Sequence, residues 1–181
     1  MRRNPIHKPL MSSGGKMTQD ELLQSLKRVK LLSLDVDGVL TDGGLYYTDD
    51  GHQMRKFNVK DGMGIVAVMA AGIQVCIITA SKADVITRRA RDLGVTHVFP
   101  GTEDKLQTLR NLCAELAINL EDVAHMGDDV NDLPVLGAVG LPITVADGVA
   151  EVLQAARHVT TRDGGKGAVR EICDLLVRIR R

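Results

Sequence analysis

Apolar residues along this chain fall into short continuous runs, separated by stretches in which they recur every three or four positions. Val29, Leu31, Leu32 and Leu34 form the first run, residues 75–78 a second, 95–99 a third, 123–126 a fourth and 139–145 a fifth. Runs of that length are too short to span a membrane and read as strands of a parallel sheet buried on both faces. The intervening stretches read as helices. One covers 18–28, where Thr18 and Glu21 have capping-box spacing. Another covers 61–71, with Asp61 as N-cap and Gly72 as stop. Further helices cover 81–94, started by Ser81 with Asp84 and ended by Gly94, then 103–116, a short turn at 133–135, and 148–157. Residues 158–160 make a last short strand, and Val169, Ile172, Leu175, Leu176 and Ile179 are the apolar stripe of a terminal helix. Strands alternating with helices of this length predict an α/β protein with a doubly wound parallel sheet.

Residues 41–60 interrupt the alternation. They are polar and glycine-rich, with β-prone residues at 45–47 and 54–57 on either side of Asp50-Gly51. That pattern predicts a β-hairpin flap projecting just past the first strand. Residues 18–181 are expected to form a single domain. Residues 1–17 carry Arg2, Arg3, Lys8 and Lys16 without an apolar core, and read as a flexible basic tail rather than a secretory signal.

Composition narrows the functions. The 181 residues hold 23 basic and 23 acidic side chains, so no net charge favours nucleic acid or a membrane surface. Phe57, Phe99, Tyr46 and Tyr47 are the whole aromatic complement, too few for a base-stacking platform. Cys76, Cys113 and Cys173 are odd in number and far apart, as expected of buried thiols in a reducing, cytoplasmic setting.

The chemistry starts at the end of the first run, in Asp35-Val36-Asp37-Gly38. Residues two apart on an extended strand point to one face, so both carboxylates would enter the crevice at the carboxyl end of a central strand. Two acids placed there repel each other and call for a cation, and Mg²⁺ with its preference for carboxylate and phosphate oxygens meets that need. Three later strand ends add matching groups: Thr79 with the backbone amides of its turn, Lys105 near a helix start, and Asp128 and Asp132 behind Gly127. Each has a plain alternative when taken alone: an acidic turn, a helix-entry hydroxyl, a surface lysine, a capped acidic loop. A calcium loop lacks its closing Glu, since Tyr46 stands at the twelfth position.

The order Asp-x-Asp-Gly, Thr, Lys, Gly-Asp-Asp-x-x-Asp resembles that of the haloacid dehalogenase superfamily of phosphohydrolases, over about residues 29–178. The resemblance implies a Rossmann-like fold and a Mg²⁺-dependent phosphatase. Asp35 would be the nucleophile that forms an aspartyl-phosphate, and Asp37 the acid and then the base. Thr79, Ala80 and Lys105 would bind the phosphoryl group. Asp35, the Asp37 carbonyl and Asp128 would ligate the metal, with Asp129 and Asp132 supporting it from nearby. A second acid two residues after the nucleophile suits an alkoxide leaving group, which favours phosphatase over dehalogenase chemistry.

The spacing between these motifs leaves no room for a cap domain. The wording around Asp35, the run Phe57-Asn58-Val59-Lys60-Asp61-Gly62 and the segment Gly164-Gly165-Lys166-Gly167 are similar to the 3-deoxy-D-manno-octulosonate 8-phosphate phosphatase subfamily. That resemblance implies a homotetramer acting on a small phosphorylated sugar acid. The flap and glycine-rich segment of a neighbouring subunit would complete each site, with Lys60, Asp61, Gly62, Ser81 and Lys82 bordering the pocket. One motif departs: the subfamily's Thr-Gly-Arg is Thr79-Ala80-Ser81 here, so a guanidinium is missing. Other keto-sugar acid phosphates, another small phosphorylated metabolite, or a non-catalytic oligomerisation module of the CMP-sialate synthetase type stay open on the sequence.

Overall fold

Strand β1 (Leu31–Leu34) is buried at all four positions and pairs on both edges, which makes it the axis of the fold. In this computed structural model residues 15–181 are described. Six parallel strands lie in the order β5-β4-β1-β6-β7-β8, with β4 (Gln74–Ile78), β5 (His97–Phe99), β6 (Val123–Met126), β7 (Leu141–Thr144) and β8 (His158–Val159). The chain builds outward from β1 through β4 to β5, then returns to the other edge of β1 for β6. That reversal opens a crevice at the carboxyl ends of β1, β4 and β6.

Side-chain alternation sends the sheet's two faces into two cores. Leu32, Leu34, Val75, Ile77, Ala124 and Met126 pack with α1 (Gln19–Arg28), α2 (Val59–Ala70), α3 (Asp84–Leu93) and α7 (Ala168–Arg180). Leu31, Cys76, Ile78 and Val123 face α4 (Lys105–Leu116) and α5 (Leu133–Leu136). Helix α6 (Ala150–Ala155) joins β7 to β8. The doubly wound sheet is therefore as the apolar runs predict, and its strands read as unbroken hydrophobic segments because both faces are covered.

The flap is a two-stranded antiparallel hairpin, β2 (Tyr46–Tyr47) and β3 (Gln53–Met54), closed at its base by a bridge between Thr41 and Phe57. Gly51 adopts φ +87° in its turn, as the Asp-Gly signal requires.

Helix starts differ from the sequence reading. Helix α2 begins at Val59, capped by the Asn58 side chain, which accepts from the Lys60 amide at 2.8 Å. Asp61 lies inside the first turn, and its carboxylate accepts from the Arg170 amide instead, tying α2 to α7. Helix α3 begins at Asp84 with Ala83 as N-cap and no side-chain cap, because Ala83 has no acceptor; the Ser81 hydroxyl accepts from the Ala83 amide at 3.4 Å, one residue short of the helix, and Gly94 closes α3 in the left-handed conformation as expected. The tail expected over 1–17 falls mostly outside the described residues. Its last two residues are docked, with the Met17 amide donating to Arg157 and Lys16 to the Ala156 carbonyl. All three cysteines are buried, and burial pushes the Cys76 thiol up to about 12. No described helix is long and apolar enough to cross a membrane.

Candidate active site

Asp35 follows directly on β1, its amide donating to the Met126 carbonyl of β6 at 3.0 Å. The chain then turns sharply, with the amides of Leu40 and Thr41 both donating to the Val36 carbonyl. Gly38 sits in this turn at φ +87°, and a Cβ there would lie 1.9 Å from Asp128 Oδ2. The glycine is thus required twice, for the backbone conformation and for the approach of the β6 loop.

The back of the turn is held by Gly164 and Gly165. The Gly165 amide donates to the Val39 carbonyl at 3.0 Å, and its carbonyl accepts from Asn58 Nδ2 at 3.1 Å. A Cβ at Gly164 would fall 1.7 Å from the Gly38 carbonyl oxygen. Within this chain the glycine-rich segment therefore buttresses its own Asp35 loop.

Lys105, in the first turn of α4, is buried and points at two carboxylates: Nζ is 2.9 Å from Asp35 Oδ2 and 2.7 Å from Asp132 Oδ1. Burial works against its charge, but Asp35 and Asp132 raise it above the ordinary lysine range. Asp132 is itself fully buried. Its Oδ1 also lies 3.2 Å from His125 Nε2, and its Oδ2 accepts from the Asp128 amide. Burial opposes its ionisation, yet the contacts with His125 and Lys105 hold it down at about 2. His125 in turn places Nδ1 2.9 Å from the Ser33 hydroxyl on the paired position of β1. Ionised Asp132 can only accept, so the imidazole nitrogen facing it, Nε2, carries a proton.

Asp35 and Asp128 are pushed the other way. Burial, followed by the charge of Asp132, raises Asp35 to about 6. Burial, then Asp35 and Asp132, raises Asp128 to about 7. Oxygens of Asp35, Asp128 and Asp132 lie within 4.8 Å of one another, and Asp128 Oδ1 is buried without a hydrogen-bond partner. An orphaned buried oxygen among crowded, all-oxygen donors fits a hard divalent cation such as Mg²⁺. The oxygens of Asp132 are already engaged, which leaves Asp35 and Asp128 as the residues able to hold it and Asp132 as their support.

Two cavities meet at Asp37. The smaller, about 120 Å³, is lined by Asp35, Asp37, Thr79, Ala80, Ser81 and Asp128 among others. The larger, about 650 Å³, shares Asp37, Ala80 and Ser81 and extends between the flap and Lys82. Arg55, from the flap, lies at their boundary and donates to both oxygens of Asp37, at 2.7 and 3.3 Å, and to the Ser81 hydroxyl at 2.9 Å.

A profile of haloacid dehalogenase-like hydrolases matches residues 79–172. The chain is 43% identical over 157 residues to the 3-deoxy-D-manno-octulosonate 8-phosphate phosphatase KdsC of Escherichia coli K12, covering 87% of this chain and 84% of that protein. The Yersinia pestis KdsC is 43% identical over 158 residues, again with 87% and 84% covered. The chain belongs to the haloacid dehalogenase-like hydrolases. Among solved structures, the Moraxella catarrhalis octulosonate phosphatase in complex with magnesium ion, phosphate ion and KDO superposes with a TM-score of 0.87 at 38% identity, covering 90% of this chain and 93% of that one.

Within this hydrolase fold the residues read from sequence divide into two groups. Asp35, Asp37, Thr79, Ala80, Ser81, Lys82, Asp128 and Asp129 line one or both cavities, with Lys105 and Asp132 buried beneath. Asp129 caps the short turn that follows, its Oδ1 accepting from the Val130 amide at 2.7 Å. Lys60, Asp61 and Gly62 were expected at the substrate pocket and are not at these cavities. Lys60 lines a separate groove with Arg162, Arg170 and Arg178. Asp61 is turned inward to α7, and Gly62 packs against Arg89, where a Cβ would meet Nη2 at 2.3 Å. Arg55 and His125 were missed. Arg55 is polar in a β-prone hairpin, and His125 is the single polar residue of an apolar strand; each is a signal visible only with the strand pairings in hand.

Proposed function

We propose that this chain is a Mg²⁺-dependent phosphomonoesterase that removes the phosphate of 3-deoxy-D-manno-octulosonate 8-phosphate. The observation that carries the reading is a pair of neighbouring cavities: a small carboxylate- and hydroxyl-lined one of phosphate size, sharing Asp37, Ala80 and Ser81 with a larger one that the flap also lines. The activity of relatives 43% identical along most of the chain supplies the substrate.

In the first half-reaction an oxygen of Asp35 forms a bond to phosphorus while the bond from phosphorus to the sugar oxygen breaks. Asp37 gives its proton to that departing oxygen. In the second half-reaction Asp37 takes a proton from water, whose oxygen bonds to phosphorus and releases Asp35 and inorganic phosphate. Lys105 faces Asp35 and balances the charge brought by the phosphoryl group, and the Thr79 hydroxyl and the amides of its turn bind phosphoryl oxygens. A Mg²⁺ held by Asp35 and Asp128, with the Asp37 carbonyl, would supply the remaining neutralisation of phosphate charge. The non-catalytic oligomerisation reading is not favoured, because Asp35, Lys105, Asp128 and Asp132 are all present and charge-matched.

The flap leaves the larger cavity open, so a neighbouring subunit is inferred to close it, in a homotetramer acting in the cytoplasm. Val59, Met63 and Val66 form an exposed apolar stripe on α2, and Leu45, Tyr46, Tyr47 and Met54 are exposed on the flap. Surfaces of this kind support assembly. Light scattering that finds an active monomer would overturn this part of the reading.

The test of the activity is phosphate release with and without Mg²⁺ from octulosonate 8-phosphate, nine-carbon keto-acid 9-phosphates and hexose phosphates, with Asp35→Asn as control. Mg²⁺-dependent turnover selective for octulosonate 8-phosphate is expected. Preference for another ester overturns the substrate and keeps the chemistry, and no turnover of any ester overturns both.

A further inference from the structure

Arg55 stands one residue beyond β3 on a hairpin whose paired strands are only two residues long, yet its side chain is just 4% exposed. Every nitrogen of the guanidinium is committed. Nε donates to Asp37 Oδ1 at 2.7 Å, and Nη2 donates to Asp37 Oδ2 at 3.3 Å and to Ser81 Oγ at 2.9 Å. Nη1 donates to Gln53 Oε1 at 3.3 Å. A hairpin this short has little stability of its own, so these bonds hold it against the crevice.

We propose that Arg55 is the positioning residue for Asp37: carried in on the flap and seated by Ser81, it fixes the carboxyl group that serves the departing oxygen. Asp37 is one-third exposed and lies on a turn, and the planar fork of Arg55 sets the plane of its carboxyl group. To reach the sugar oxygen, Asp37 gives up one of its two bonds to Arg55. Ser81 keeps the guanidinium in place while that exchange occurs. Ser81 also belongs to the turn that carries Thr79, whose hydroxyl accepts from the Ser81 amide at 3.2 Å. The flap, the acid and the phosphate turn are thereby linked through one side chain. The Ser81 position, where the sequence pattern lacks an arginine, receives its guanidinium from the flap.

The proposal rests on the hydrolase reading, and its test separates the two. Turnover by the intact protein, Arg55→Ala, Arg55→Lys and the double variant Arg55→Ala with Ser81→Arg is compared on an alkyl monoester and on p-nitrophenyl phosphate. The alkyl oxygen needs a proton to leave; p-nitrophenolate does not. Arg55→Ala is expected to lower kcat on the alkyl ester by about 100-fold while p-nitrophenyl phosphate stays within about fivefold. Arg55→Lys should fall between, and Ser81→Arg should restore most of the loss on the alkyl ester. Hydrogen exchange of the flap amides at 46–54 should quicken in Arg55→Ala. Equal losses on both esters, no loss on either, or unchanged flap exchange would overturn the proposal. If octulosonate 8-phosphate is not turned over but glycerol 3-phosphate is, the substrate assignment fails and the comparison stands on the second ester.

Discussion

Asp132 anchors Lys105: the carboxylate oxygen Oδ1 lies 2.7 Å from the ammonium in a site where neither side chain reaches solvent. Because Lys105 also contacts Asp35 at 2.9 Å, the position of the attacking carboxylate depends on a residue that does not line the cavity wall. Asp132→Asn keeps the shape and removes the charge. It should lower kcat by about 10–100-fold, as loss of a supporting partner does at a metal site. Asp132→Ala also takes away one of the two carboxylates that pair the buried lysine and the partner of His125 Nε2, and should cost roughly 1–3 kcal/mol. Steady-state kinetics with a thermal melt for each variant checks both, and an Asn variant with unchanged kcat would remove Asp132 from the catalytic support.

His125 extends that support across the sheet to Ser33. His125→Phe fills similar volume but takes from the fully buried Ser33 hydroxyl its imidazole partner, while Asp132 Oδ1 keeps Lys105. Unmet buried groups cost about 1–3 kcal/mol each. Urea denaturation should show a loss of that order. His125→Phe with Ser33→Ala should recover part of it, since the orphaned hydroxyl is then gone.

The raised carboxylates give the metal-free protein a defined pH response. Asp35 at about 6 and Asp128 at about 7 both lie above their ordinary value of 3.8. Between about pH 4 and 7 the fold therefore binds more protons than the unfolded chain, so its stability falls as pH rises through that window. The cost is absent at the acid end and complete at the alkaline end. Asp132, held at about 2, acts oppositely and loses its contribution only below its ordinary value. Mg²⁺ should offset the cost, so its effect on Tm should be small at pH 5 and largest at pH 8. At a concentration a hundred times its Kd, Mg²⁺ adds about 2.7 kcal/mol. Calorimetry near pH 6.5 should register proton release on binding, and a Mg²⁺ effect independent of pH would contradict this account.

Much of this was legible in the chain because the reacting groups follow strands that are apolar on both faces. Residues 123–126 are a strand with the expected ends, and Asp35, Thr79, Lys105 and Asp128 follow β1, β4, β5 and β6 in chain order, strands that the sheet arranges as β5-β4-β1-β6. Helix starts were less legible where two good caps compete. Asn58 and Asp61 both suit an N-cap, and the choice is made by the Arg170 amide, which lies 109 residues away in sequence from Asp61 and donates to its turned-in carboxylate. Arg55 was illegible for the same reason. Its meaning depends on where a hairpin folds, and nothing local to residue 55 records the presence of Asp37 and Ser81.

Asp35→Asn separates chemistry from folding. Asn keeps the size of the side chain and loses the nucleophile, so turnover should fall by roughly 10⁴-fold or more. Burial and Asp132 already disfavour the charged form of Asp35 in the metal-free protein. The variant should therefore melt within a few degrees of the parent without Mg²⁺, and gain less than the parent when Mg²⁺ is added. Retained turnover would mean that another group attacks phosphorus.

Gly164→Ala tests the buttress behind the Asp35 loop. The added methyl would lie 1.7 Å from the Gly38 carbonyl oxygen and 3.2 Å from that of Thr41, and neither is the end of a flexible side chain that can swing away. The turn that carries Gly38 must move, and with it the contact between Gly38 and Asp128, where only a glycine fits. Overpacking of this kind costs about 1–3 kcal/mol, but the larger effect should be on the site, because Asp35 and Asp128 would no longer converge. The expected outcome is a folded protein with a modestly lower Tm, a much weaker Mg²⁺ dependence of Tm, and turnover reduced in proportion. Gly164 lies outside the left-handed region, so only the contact acts there; Gly51→Ala, at φ +87° in the open flap turn where an added Cβ meets nothing within 4 Å, is the control for a strained glycine replacement away from the contact. If both variants lose metal response equally, the loss does not come from the contact between residues 164 and 38.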